Sequence, residues 1–119
     1  MFIMDESSSI WPDPFDKQKQ FIKDVTDGFH IGFNGTRVGL VRFASGASLA
    51  FPMNANYTKA GVFNAIGNIV QRGGNTNTGE ALKVAREQGF SAANGARPFD
   101  ETIPQIAIVI TDGNSQVRN

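Results

Sequence analysis

The sequence predicts an α/β fold: a doubly wound, Rossmann-like, mostly parallel sheet with one short antiparallel edge strand and helices on both faces. Three observations predict it. Stretches of strand character, the apolar Phe2 to Met4 and Ile106 to Ile110 and the mixed Thr36 to Phe43, are separated by stretches of helical periodicity. The last run is uninterrupted, as in a central strand covered on both faces. Polar residues follow the first and last runs directly, at the carboxyl ends of strands, where ligands bind in such sheets.

The elements follow in order. Phe2 to Met4 is the first strand and runs into Asp5. Trp11 to Pro14 reads as a turn, because proline resists helix until its own position. A helix is predicted from Phe15 to Phe29, with Phe21, Ile22, Val25 and Phe29 on its apolar face and Gly28 and Gly32 at its end. Asn34-Gly35 is a turn signal. Thr36 to Phe43 is the second strand, and Ser48 to Phe51 is a short strand antiparallel to it, closed by Pro52. Thr58 caps a second helix whose face is Val62, Phe63, Ile66, Ile69 and Val70. After the glycine-rich stretch Gly73 to Gly79, Thr78 caps a third helix with Glu80 in its first turn and a face of Ala81, Leu82 and Ala85. Gly89 to Thr102 is a long polar loop, and Ile106 to Ile110 is the last strand. The expected strand order is 3-2-1-4, so the first and last strands flank the reversal of order.

The 119 residues set a limit of one domain, and 40% hydrophobic residues are enough for a packed core. Lys plus Arg equals Asp plus Glu at 11 each with no charge block, so nothing electrostatic argues for nucleic acid or an anionic membrane. No apolar run is long enough to insert in a membrane, and Met1 to Met4 is too short for a signal-peptide core. The chain has no cysteine, which excludes disulfides and thiol chemistry.

The candidate site begins with Asp5-Glu-Ser-Ser-Ser9: one carboxylate and two alternate hydroxyls on a tight loop after a strand. Hard oxygen donors without nitrogen or sulfur suit Mg²⁺, Mn²⁺ or Ca²⁺ rather than zinc. Asp112 leaves the last strand and would reach the same crevice. No lysine follows the glycines at 73, 74 and 79 as a phosphate-binding loop requires, so they read as turn formers. His30 stands alone and reads as structural or as a surface residue, and Trp11 reads as packing or as a partner contact. Asn34-Gly-Thr36 and Asn56-Tyr-Thr58 are glycosylation sequons on expected surface turns.

These stretches resemble the von Willebrand factor A domain family, which includes the integrin inserted domains. Asp5-Glu-Ser-Ser-Ser9 resembles its Asp-x-Ser-x-Ser motif, Gly74-Asn-Thr-Asn-Thr-Gly79 its threonine loop, and Thr111-Asp112-Gly113 its third element. Together they form a metal-ion-dependent adhesion site. The resemblance covers essentially the whole chain and is closest in flavour to extracellular-matrix members, the matrilins and collagen-associated A domains. It implies a binding module, not an enzyme. Asp5, Ser7, Ser9, Thr76 and Asp112 would hold the ion, Ser7 and Ser9 directly, Thr76 directly once a ligand engages, and the two carboxylates largely through water. Glu6, Asn114 and Ser115 would stand behind them as orienting groups. Two carboxylates only balance a divalent cation, so it stays electrophilic and open to a partner's Glu or Asp. Mg²⁺ is expected, with Mn²⁺ as its alternative and Ca²⁺ behind both.

The partner implied is a protein with an exposed acidic residue, such as collagen or another matrix protein, and the setting is extracellular within a longer parent protein. Family members usually run to six strands, so residues 1–119 are expected to be a partial domain, lacking the last strands and helices. Such an apolar edge at the last strand invites self-association. Two alternatives stay open. One is an intracellular A domain acting as an assembly subunit. The other is a phosphatase of the haloacid dehalogenase type, although Ser7 stands where its general acid should be.

Overall fold

The computed structural model of the chain describes residues 1–7, 12–98 and 102–111, leaving the side chains of residues 12 and 13 aside. Ser9, Asp112, Asn114 and Ser115 of the expected site, and Trp11, lie outside the described residues.

Four strands form one sheet: β1 (Phe2–Asp5), β2 (Leu40–Phe43), β3 (Ala47–Phe51) and β4 (Ile108–Ile110). Their order is β3-β2-β1-β4, with β1 parallel to both β2 and β4 and β3 antiparallel to β2, as the sequence predicts. The period of two along β1 divides the core. Phe2 and Met4 point to one face and pack with Ile22 of α1 (Pro12–Asp27) and Val62 and Ile66 of α2 (Lys59–Gly67). Ile3 points to the other face, against Ala81 and Val84 of α3 (Thr78–Val84). Helices on both faces are what a parallel sheet needs to bury its two sides.

The helices differ from expectation in instructive ways. Helix α1 begins at Pro12, not Phe15, because the N–H groups of a first turn have no helical partner and proline gives up nothing there. It ends at Asp27; Gly28 and Phe29 already donate to the carbonyls three residues back, in a tightened last turn. Its buried stripe is Phe15, Ile22 and Thr26, whereas Phe21 is 51% and Phe29 44% exposed. Helix α2 is capped by the Thr58 hydroxyl, which accepts from Gly61 N–H at 3.1 Å, as predicted. Beyond α2, Ile69 is buried but Val70 is exposed, and Phe63 is only half-buried.

The cap of α3 is Asn77, not Thr78: its side-chain oxygen accepts from Glu80 N–H at 3.1 Å, and Thr78 is the first helical residue. Its inward face is Ala81 and Val84, continued by Ala85, while Leu82 faces out. The stretch read as a loop from Gly89 onward follows a π-helical turn, Ala85–Gly89, and contains a 3₁₀ turn, Ala92–Asn94. The second strand is shorter than the Thr36–Phe43 run. Thr36 bridges Ile31, and Arg37 is held by the Phe33 and Gly95 carbonyls, so the ladder starts only at Leu40.

The last strand shows the clearest departure. Among the described residues only Ile108–Ile110 of this run pairs in the sheet, and on one side, with β1. Val109 is 40% and Ile106 54% exposed, so the apolar run is an edge here and not a strand covered on both faces.

Candidate metal centre

The candidate site is read at the carboxyl ends of β1 and β4, and of its expected metal-holding residues the structure describes Asp5, Ser7 and Thr76. Asp5 closes β1 and is fully buried. Its Oδ1 accepts from Ser7 N–H at 2.8 Å and its Oδ2 from the Thr111 hydroxyl at 2.7 Å. Thr111 directly follows β4, so this bond draws the two strand ends together across 106 residues of sequence. The Gln18 side chain of α1 donates to the Asp5 carbonyl at 2.8 Å and fixes the strand end from the helix side.

Ser7 and Thr76 are also fully buried. The Thr76 loop is brought to β1 by its preceding residues. Gln71 donates from its side chain to the Ser7 carbonyl at 2.9 Å, and Gly73 N–H donates to the Glu6 carbonyl at 3.1 Å. On the far side of the loop, Asn75 N–H donates to Ser45 Oγ at 2.9 Å and Asn77 N–H to the Ala44 carbonyl at 2.8 Å. Thr76 thus sits between two backbone tethers to the β2–β3 turn. Gly74 makes the close approach feasible. Its φ is +115°, and a Cβ there would stand 2.8 Å from Ser45 Oγ.

The donor set fits a hard divalent cation. It holds a carboxylate and hydroxyls, with no imidazole or thiolate near them. Among the described residues no basic side chain pairs with Asp5, and no three His, Cys, Asp or Glu side chains converge. A buried carboxylate without a countercharge is costly, and a bound cation removes that cost. A site made mainly of hydroxyls is consistent with the absence of a carboxylate cluster among these residues.

Glu6 is placed differently from its neighbours. Its carboxylate is 1% exposed and takes Arg42 Nε at 2.9 Å and Nη2 at 2.7 Å, a two-pronged pair. It also takes the Arg72 backbone N–H at 3.0 Å and Arg72 Nη2 at 2.7 Å. Burial pushes the Glu6 carboxyl up, but the bonds from Arg42 and Arg72 outweigh burial and bring it from 4.5 down to about 2. The same bond pushes the Arg72 guanidinium up. Sequence reasoning missed both arginines. The available signal was Arg42 itself, a charge two residues from Leu40 on an inward-facing strand position.

A cavity of about 270 Å³ opens beside this cluster, lined by Glu6, Ser45, Ser48, Arg72 and Gly73. A larger one, about 410 Å³, lies at the other end of the strands among Met1, Phe29, Val38 and Ile106; it is lined by Asn34 of the first sequon and by none of the expected metal-holding residues. Of the sequons, Asn34 is exposed in a turn, whereas Asn56 is half-buried and its Thr58 hydroxyl is engaged in capping α2. His30 is exposed and lies away from the crevice.

Comparison with known proteins agrees with this fold. The family model of the von Willebrand factor type A domain matches residues 1–119. Human matrilin-4 is 36% identical over 118 residues, 99% of this chain and 19% of that protein. Bovine matrilin-1 is 38% identical over 116 residues, 98% of this chain and 21% of that protein. The chain therefore spans about a fifth of the length of these relatives. Proximal thread matrix protein 1 from the mussel byssus superposes with a TM-score of 0.88 at 34% identity, covering 99% of this chain and 32% of that one. A second structure of the same mussel protein, described as having a zinc-occupied MIDAS motif, gives 0.87 at 35% identity, covering 99% of this chain and 32% of that one. The chain belongs to the von Willebrand factor type A domain family.

Proposed function

We propose that the domain is a metal-dependent adhesion module in which Asp5, Ser7, Ser9, Thr76 and Asp112 hold a divalent cation. The observation that carries this reading is Asp5: a fully buried carboxylate at the strand-order reversal, joined to the end of β4 by Thr111 and without a basic partner among the described residues. Ser7 and Thr76 are buried hydroxyls on the segments beside it, and Ser9 and Asp112 complete the set on sequence grounds. The zinc-occupied motif in the mussel neighbour supports divalent binding at such a site. The oxygen-only donors favour Mg²⁺ or Mn²⁺ here.

When bound, the cation supplies one electrophilic position for an acidic oxygen. The chain's own residues do the rest. Asp5 offers negative charge, and the serine and threonine hydroxyls coordinate without adding any. The net result is a site that still attracts a carboxylate. The partner class is a protein with an exposed Glu or Asp, and matrix proteins such as collagen are the first candidates, given the kinship with matrilins and a thread matrix protein. The same kinship supports an extracellular setting and a binding role without turnover.

The test is binding of the full chain to immobilised collagen and to acidic triple-helical peptides. Binding should require Mg²⁺ or Mn²⁺, vanish with chelator, and fall when the peptide's Glu is replaced by Gln. Binding unchanged by chelator would contradict the proposal.

A further inference from the structure

We infer that Glu6, held between Arg42 and Arg72, is a latch that positions the Thr76 loop against the end of β1. This rests on the metal-site reading for its functional consequence, while the latch itself stands on geometry. Glu6 follows Asp5 directly and precedes Ser7, so any group bound to it is fixed relative to both. Arg42 reaches Glu6 from the neighbouring strand and also donates to the Val70 carbonyl. Arg72 reaches it from the loop with both its backbone N–H and its guanidinium. Gly73 N–H binds the Glu6 carbonyl, and Gln71 binds the Ser7 carbonyl. Four successive residues, 70 to 73, are therefore tied to Glu6, its arginine partner or the adjoining Ser7.

The charge arithmetic separates this role from that of the site's other acidic groups. Both Glu6 oxygens accept from guanidinium groups, and two positive charges face one negative. Glu6 therefore adds nothing to the charge that would attract a cation; the cluster as a whole is positive by one. If it helps metal binding, it does so by holding Ser7 and the Thr76 loop in register, not by its field. Charge-assisted and bidentate bonds suit that task, because they fix direction as well as distance. The Arg42 leg is mostly buried at 17% exposure, while the Arg72 leg is 55% exposed and can be removed without opening the core.

The field account and the latch account predict opposite signs, which makes the test decisive. Removing the Arg72 charge in Arg72→Met takes a positive group away from the crevice, so a pure field effect would tighten Mn²⁺ binding. The latch account instead expects Mn²⁺ affinity to fall by about three- to tenfold, at the lower end of what lost orienting groups cost. It also expects amide exchange at residues 73–77 to rise by roughly tenfold while the amides of β1 and β2 stay protected. Glu6→Gln should act in the same direction, and the double variant should be no worse than the weaker-binding single variant, because both changes release one latch.

The measurements are calorimetric Mn²⁺ titration and amide hydrogen exchange on the full chain. Arg72→Met is the primary variant, since Glu6→Gln leaves two arginines at a buried site and can fail to fold. Tighter Mn²⁺ binding in Arg72→Met, or unchanged exchange at residues 73–77, would overturn the inference. If the unmodified chain bound no Mn²⁺ at all, the metal reading would fail, and the exchange arm would still decide whether the latch exists.

Discussion

Gly74→Ala tests whether the Thr76 loop is held as tightly as its bonds imply. The substitution forces a side chain onto a residue with φ of +115° and places a Cβ 2.8 Å from Ser45 Oγ and 3.3 Å from Ser45 N. The left-handed backbone costs about 1–2 kcal/mol for a residue with a Cβ. Pushing Ser45 away also breaks its hydrogen bond from Asn75 N–H, worth about 1 kcal/mol. The sum is about 2–3 kcal/mol. With about 2.1 cal/mol/K of unfolding entropy per residue, this length gives roughly 4 °C per kcal/mol, so the melting temperature should fall by about 8–12 °C. Gly46→Ala is the matched control: it lies in the turn beside Ser45, has no positive φ, and its Cβ would meet nothing within 4 Å. Scanning calorimetry of both variants is the assay. A Gly74→Ala transition within 2 °C or so of Gly46→Ala would refute the packing argument on the same entropy scale.

Other expectations concern the core, a helix cap and pH. Ile66→Ala, at a fully buried position, should cost about 2–5 kcal/mol in denaturant unfolding, whereas Phe21→Ala, 51% exposed, should cost well under half as much. Asn77→Ala should lower stability by about 1 kcal/mol, and Thr78→Ala should not, because Asn77 supplies the cap; equal losses would restore Thr78 to that role. The Glu6 carboxyl, at about 2 in the fold against 4.5 unpaired, binds its proton more readily in the unfolded chain. It therefore stabilises the fold above pH 4.5, by about 3 kcal/mol at most, and that contribution fades as pH falls from 4.5 towards 2. Unfolding free energies measured from pH 6 to 2 should show this loss in the unmodified chain and a shallower slope in Glu6→Gln.

Much of the architecture was legible because it rests on local pattern. The apolar runs gave the strands, and the split between Phe2–Met4 and Ile3 follows from the period of two. The order β3-β2-β1-β4 follows from chain connectivity, and it alone brings Asp5 beside the end of β4. Periodicity sets a helical stripe only approximately: Phe21 and Leu82 read as inward yet are about half exposed, while Phe15 and Val84 are buried. Asn77 and Thr78 are both capping types side by side, so composition could not choose between them. A continuous apolar run signals burial but not what covers it, and the exposure of Val109 is the result. The Glu6 latch was out of reach for a different reason. Its partners are 36 and 66 residues away in sequence, and no local pattern encodes a contact of that range.

The central claim is that the crevice between β1 and β4 binds one divalent cation through Asp5 and its neighbouring hydroxyls. The most direct measurement is calorimetric titration of the full chain with Mg²⁺ and Mn²⁺, beside Asp5→Asn. That variant keeps an oxygen to accept from Ser7 N–H and an amide that can meet Thr111, so the fold should persist while the charge is lost. The account predicts binding of a single ion to the unmodified chain and at least a tenfold loss of affinity, roughly, in Asp5→Asn. No detectable binding by the unmodified chain, or equal affinity in the two proteins, would contradict it.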